Sequence, residues 1–267
     1  MIRSHGKSWG SMTVFLKQYG EKRTGTNVLR ALLQAHYADV TVLMHVLGDK
    51  HSPPSPLADI YRTAASAADF VCEATQARLP SLTAADDRAR SALLAAVEDG
   101  LADSYQSGKL GFLISVKHPY AWLVSLRRFA ALDPQSPAPD AAAAGMRYNA
   151  NYRSWFALRA EYGSRVAVVR HEDLLADPSG TVGGLAEAFR LRRLTAGPLR
   201  LPAGIVVPAR WDHMRSTTAA VAFDGGYYRR REYLDAISEQ DRRVLRSAID
   251  WGQLAPYGYR DEGLEWR

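Results

Sequence analysis

At 267 residues, 47% hydrophobic and 23% charged, the chain can bury a full core, which excludes a disordered or low-complexity protein. The formal charge of +6 and a pI of about 9.5 favour anionic ligands, but the arginines are spread out, so neither nucleic acid nor a membrane surface is called for. A single cysteine, Cys72, excludes an internal disulfide and fits a reducing, cytoplasmic setting; beside Phe70 and Val71 it reads as a small core residue rather than a nucleophile.

Residues 1–11 read as a loose tail, with no apolar core of a secretion signal expected before residue 12. No run of about 18 apolar residues occurs, so no membrane span is expected. Met12–Leu16 predicts a strand, and Val28, Leu29, Leu32, Leu33 and His36 recur at helical spacing. Between them lies a polar, glycine-containing turn running from Lys17 to Asn27. Val40–Val46 predicts a second strand, ending in the proline- and glycine-punctuated loop 47–56 that carries Lys50 and His51. Residues 57–107 are alanine-rich and helical in pattern, with Asp86–Tyr105 as one amphipathic helix. Leu110–Val116 is the clearest strand. Lys117-His118-Pro119 follows, then a helix from Tyr120 to Ala130 with proline in its first turn. Residues 131–144 predict a loop, and Gly145–Tyr162 a long helix whose aromatics, Tyr148, Tyr152, Trp155 and Phe156, read as core. Arg165–Val169 is a fourth strand, followed by Arg170-His171-Glu172-Asp173-Leu174. Thr181–Phe189 predicts a helix, 190–226 carries few regular signals, and Tyr227–Tyr233 is a basic, aromatic cluster. Ser238 with Asp241 resembles a capping box for a last helix, and 254–259 closes the chain. Strands alternating with helices predict one α/β domain over 1–267, P-loop-like, with a mostly parallel sheet of four to five strands flanked by helices.

The turn at 20–27 carries the chemistry. A helix opening after a glycine turn points unpaired backbone N–H groups and its positive dipole end into the loop. Lys22 and Arg23 add charge, Thr24 and Thr26 add hydroxyls, and Gly20 and Gly25 let the backbone approach a ligand. A phosphate or sulfate ester is the simplest occupant. The spacing Gly20-x4-Gly25 is that of a P-loop, but Thr26-Asn27 stands where a magnesium-nucleotide site needs Lys and then Ser or Thr. A phosphate-bearing ligand without a bound metal is therefore expected. Beyond strand carboxyl ends, where open parallel sheets bind ligands, Lys50 and His51 should approach this loop.

Three separated motifs together resemble the sulfotransferases that use 3′-phosphoadenosine 5′-phosphosulfate (PAPS). Arg23-Thr24-Gly25-Thr26 matches that family's 5′-phosphosulfate loop. Lys117-x-Pro119, with Ser125 six residues beyond the proline and then Phe129, matches its 3′-phosphate motif. Val169-Arg170-His171-Glu172-Asp173-Leu174 matches a third. The matching residues span about 14 to 175. The chain departs from the pattern at Lys22, where many members have proline, at Asn27, where threonine is common, and at Lys117, which keeps the charge of the usual arginine but loses its bidentate fork.

The resemblance implies an enzyme moving a sulfuryl group in line from PAPS to a hydroxyl or amine, with no metal. Lys22, Arg23, Thr24, Gly25, Thr26, Asn27, Lys117 and Ser125 would hold the nucleotide. Charge develops on the leaving phosphate, where Lys22 and Arg23 would stabilise it. The acceptor proton needs a base, for which His51 is the first candidate; His118, His171 and His213 are weaker ones, Glu172 is a distant one, and His45 reads as core. A small-molecule, lipid or carbohydrate acceptor suits the pattern. Two alternatives compete: a small-molecule or nucleoside kinase with a divergent P-loop, using Glu172 and Asp173 for magnesium, and a nucleotide-binding module without catalysis.

Overall fold

The computed structural model describes residues 14–38, 40–44, 47–54, 102–104, 106–131, 137–194, 197–201 and 225–264. The expectations for Cys72, His45, His213, the 1–11 tail, most of the helical 57–107 stretch and most of 205–226 lie outside these residues. In chain order, the first strand β1 is Val14–Gly20, followed by helix α1 (Thr26–His36), the two-residue strand β2 (Tyr37–Ala38), β3 (Val40–Leu43) and β4 (Gly111–Val116). Helices α2 (Pro119–Ala130) and α3 (Ala141–Tyr162) lead to β5 (Val166–Arg170), α4 (His171–Ala176) and α5 (Pro178–Ala188). A short β6 (Arg192–Arg193) pairs antiparallel with β2. The C-terminal part holds α6 (Gly225–Arg229), α7 (Tyr233–Ala236), α8 (Glu239–Ala248), α9 (Trp251–Leu254) and the hairpin β7 (Tyr259–Arg260) and β8 (Gly263–Leu264).

The main sheet has the order β3-β1-β4-β5, every pair parallel. Its strands are near-continuous apolar runs because both faces are covered. Phe15, Tyr19, Phe112, Ile114 and Val116 point to one face, against α2, α3 and the C-terminal helices. Leu16, Val42, Leu113 and Val169 point to the other, against Leu29 and Leu33 of α1 and Val182 of α5. Thus α1 and α2, which follow adjacent strands β1 and β4, lie on opposite faces. That leaves a topological switch point between the carboxyl ends of β1 and β4, where such sheets bind ligands. No helix among the described residues is long and apolar enough to cross a membrane.

Several boundaries differ from expectation for identifiable reasons. β1 runs on to Gly20, taking in Lys17, Gln18 and Tyr19, which the sequence placed in the turn. Their polar groups are satisfied in the interior: Lys17 Nζ donates to the carbonyls of Met44 (2.9 Å) and Gly48 (2.5 Å), Gln18 Nε2 to Ser115 Oγ (3.2 Å) and Tyr19 OH to Leu47 O (2.6 Å). α3 starts at Ala141, inside the expected loop, because Asp140 caps it by accepting from Ala143 N at 2.8 Å and the following alanines are strong helix formers. Asp177 likewise caps α5, which begins at Pro178 rather than Thr181. Ser238 caps α8, accepting from Asp241 N at 3.1 Å, while the Asp241 carboxylate is taken by Arg127 at 2.8 Å rather than closing the expected box.

Candidate active site

The loop between β1 and α1 fills the switch point. Gly20 is its first hinge: a Cβ there would lie 2.8 Å from both Ser115 O on β4 and Thr24 Oγ1. Arg23 is held at φ 73° and Gly25 at φ 82°, both left-handed, which turns the chain sharply into α1. Gly25 caps that helix without a side-chain acceptor, so the first-turn N–H groups of α1 keep their donors for another partner. Lys22 and Arg23 are exposed at the loop tip. The Arg23 guanidinium lies 5.0 Å from the Phe129 ring of α2, and the Lys22 carbonyl accepts from Trp122 Nε1 at 3.0 Å.

The hydroxyl of Thr24, expected to face a ligand, instead donates to Glu21 O at 2.7 Å and is buried, and its N–H donates to the same carbonyl at 3.2 Å. Thr24 therefore shapes the loop and has no proton left for an anion. Asn27 Oδ1 accepts from Lys50 Nζ at 2.7 Å, which leaves its amide as a donor. A second backbone restraint comes from His171, whose Nδ1 would lie 2.4 Å from a Cβ on Gly25. Burial, and then Lys117 and Arg23, hold His171 well below the ordinary histidine range, so it is a neutral ring packed under the loop. Gly25→Ala is expected to cost about 1–3 kcal/mol from backbone strain alone and to weaken anion binding. A thermal melt of that variant unchanged from wild type would contradict the packing.

The loop after β3 docks onto the same glycine. Gly20 N donates to Lys50 O at 2.9 Å, and His51 Nδ1 lies 2.5 Å from Gly20 O. A carbonyl only accepts, so Nδ1 carries the proton and Nε2 the lone pair. Burial, then Lys50, press the His51 pKa down from 6.5 to about 4, so the ring is neutral at physiological pH. His118 is placed differently. Its Nε2 reaches Arg260 O at 3.0 Å, its Nδ1 accepts from Tyr120 N at 3.3 Å, and it caps α2. Both ring nitrogens are engaged in structure, which removes it as a base.

Lys117 sits at the end of β4, buried, with Nζ 5.2 Å from the Tyr228 ring. Burial pushes its ammonium well below the usual lysine range; Glu172 opposes the shift, while Arg23 and Arg128 add to it. Arg23 and Arg128 thus place positive charge beside Lys117 and the loop. Ser125, half-buried, lies one turn before Phe129 on the α2 face that Arg23 covers. Glu172 and Asp173 are occupied elsewhere. Glu172 accepts from His118 N (2.9 Å) and Tyr259 OH (2.6 Å), and Asp173 forms a two-pronged pair with Arg170 at 2.6 Å for each bond. The carboxylate pair that a magnesium-nucleotide site would draw on is therefore built into the framework, as is Glu172 as a candidate base.

Glu21, Trp122, Asn151 and Tyr228 also border the site, and no motif marks them for it. Asn151 did leave a signal: it is the one amide on the buried stripe Ala144, Tyr148, Asn151, Tyr152, Trp155, Leu158 of α3.

No protein-family model and no curated protein matches the chain by sequence. Among solved structures, the sulfotransferase domain of the Synechococcus PCC 7002 olefin synthase is 18% identical, over 85% of this chain and 93% of that one, with a TM-score of 0.40. The sulfotransferase domain from the curacin biosynthetic pathway is 12% identical, over 94% of this chain and 99% of that one, also with a TM-score of 0.40.

Proposed function

We propose that the protein is a PAPS-dependent sulfotransferase acting on a hydroxyl or amine of a small-molecule, lipid or carbohydrate acceptor. The observation that carries this reading is the bond between His51 Nδ1 and the Gly20 carbonyl. It ties a neutral imidazole, with its free nitrogen fixed as Nε2, to the first residue of an anion-binding turn. A base and an anion cradle joined at one residue suit transfer of an anionic group to a protonated acceptor.

The residues fit the nucleotide. The uncapped start of α1, the left-handed turn at Arg23 and Gly25 and the exposed Lys22 and Arg23 suit a phosphosulfate. Lys117 and Ser125 would take the 3′-phosphate. When bound, PAPS supplies the sulfuryl group and a phosphate leaving group. Lys22, Arg23 and the first amides of α1 hold the negative charge that grows on that phosphate. His51 removes the acceptor proton at Nε2. These cations would balance the charge of the leaving phosphate without a metal, so transfer should persist in a chelator.

The test is transfer of radiolabelled sulfate from PAPS to acceptors in a cell extract with EDTA present. Labelled product formed only with active protein is the expected result; no labelled product in any extract, together with phosphate transfer from magnesium-ATP, would overturn it. A narrower test concerns the 3′-phosphate. Ser125→Ala and Lys117→Met, which keeps the buried volume, should each weaken binding of adenosine 3′,5′-bisphosphate about tenfold or more, the effect of losing a charge-assisted hydrogen bond. Calorimetric titrations giving wild-type affinity in both would remove these two residues from the site.

A further inference from the structure

We infer that Asn151 is a positioning residue that sets the His51 ring against the anion loop, acting through Glu21; this rests on the reading of His51 as the base. Asn151 lies on the buried stripe of α3, where its buried neighbours one turn away are the aromatics Tyr148 and Trp155. Its Nδ2 group donates to Glu21 Oε1 at 2.7 Å and reaches His51 O at 3.4 Å. One side-chain amide therefore spans the loop after β1 and the loop after β3. Glu21 is buried at 2% exposure, and its other oxygen faces Arg147 Nη2 at 3.3 Å, one turn earlier on the same helix. Arg147 and Asn151 together grip the carboxylate, and the peptide between Glu21 and Gly20 is the one whose carbonyl receives His51 Nδ1–H.

The rest of α3 behaves in the same way. Tyr148 OH donates to Lys117 O, Tyr152 OH to Ser115 O (each 2.7 Å), and Trp155 Nε1 to Ser52 O at 2.9 Å. This helix is a rail to which the ends of three strands are hydrogen-bonded, and Asn151 is its link to the base. Burial raises the Glu21 carboxyl, and the donors of Arg147 and Asn151 counter that shift. The other charged groups facing His51 are Lys50, Asp49 and Lys22, none of which bonds its ring.

The prediction is read on the ring itself. In the wild-type protein, two-bond proton–nitrogen spectra should show His51 with the proton on Nδ1. In Asn151→Ala, which has no donor for Glu21 or His51, the Nδ1–H form should give way to a tautomer mixture. kcat for sulfuryl transfer should fall on the order of 10–100-fold, as small misplacements of a reacting group do, with the KM for PAPS within about twofold of wild type, since the nucleotide contacts are untouched. Asn151→Gln, which keeps an amide on a longer arm, should recover part of both. A merely structural asparagine would lower the melting temperature and leave the tautomer alone, and that result overturns the inference. Should Asn151→Ala fail to fold, Asn151→Ser is judged by the same spectrum. If wild-type protein transfers nothing from PAPS, the functional reading fails, while the spectra of wild type and variant still decide whether Asn151 orients the ring.

Discussion

Replacing Arg23 with alanine is expected to abolish measurable sulfuryl transfer, a fall in kcat on the order of 10²–10³ or more, the size found when one charge-stabilising donor is removed. The fold should survive. Arg23 is exposed and left-handed, and alanine, also carrying a Cβ, meets the same backbone penalty at φ 73°. Its packing on the Phe129 ring is at the surface, so its loss should shift the melting temperature by a few degrees at most. What disappears is the one guanidinium at the tip of the anion turn. Circular dichroism and a melt establish folding, and single-turnover assays with PAPS measure the loss. Activity equal to wild type would remove the loop from the reaction.

His51→Ala should lower kcat by about 10²–10⁴, the range for a positioned general base, with nucleotide affinity nearly unchanged because the ring bonds the loop's carbonyl rather than its amides. The pH dependence has a definite sign. On the proposed reading the neutral form is the base, and burial brings the folded-state pKa down from 6.5 to about 4. Transfer should therefore hold as pH falls through 6.5 and decline only towards 4, for as long as the protein stays folded. An acid limb near 6.5 would mean a solvent-exposed histidine with no tie to Gly20. The same depression acts on stability. Between these two pH values the unfolded chain binds the His51 proton and the folded chain does not, so stability falls as pH drops across that window. The buried, neutral His171 acts in the same direction. Urea denaturation midpoints measured across that range should fall as pH decreases in the wild type, and fall less steeply in His51→Ala.

Much of this site was legible in the sequence because its signals are local. A β-branched run, two glycines and a helical repeat place the anion turn at the carboxyl end of a parallel strand, and Pro119 fixes the start of α2 after Lys117. What escaped depends on a rare backbone conformation or on long-range contact. Nothing near Thr24 in the chain says that its hydroxyl folds back on Glu21 O, because the sharp turn that brings them together depends on Arg23 adopting a left-handed conformation disfavoured for arginine. The bond of Asn151 to Glu21 joins residues 130 positions apart and follows only once α3 is laid across the strand ends. The aromatics of α3 do pack in the core, yet three of them also carry the hydroxyl and indole donors that tether the loops of the candidate site. Burial and hydrogen bonding are two uses of one side chain, and periodicity reports only the first.

The measurement that bears most directly on the central claim is a calorimetric titration of adenosine 3′,5′-bisphosphate into the protein in EDTA, beside magnesium-ATP and beside the Arg23→Ala variant. Tight, one-to-one binding of the bisphosphate without divalent metal, lost by tenfold or more in Arg23→Ala and not matched by magnesium-ATP, is the predicted result. Heat from magnesium-ATP alone, or bisphosphate binding that ignores the loss of Arg23, would contradict it.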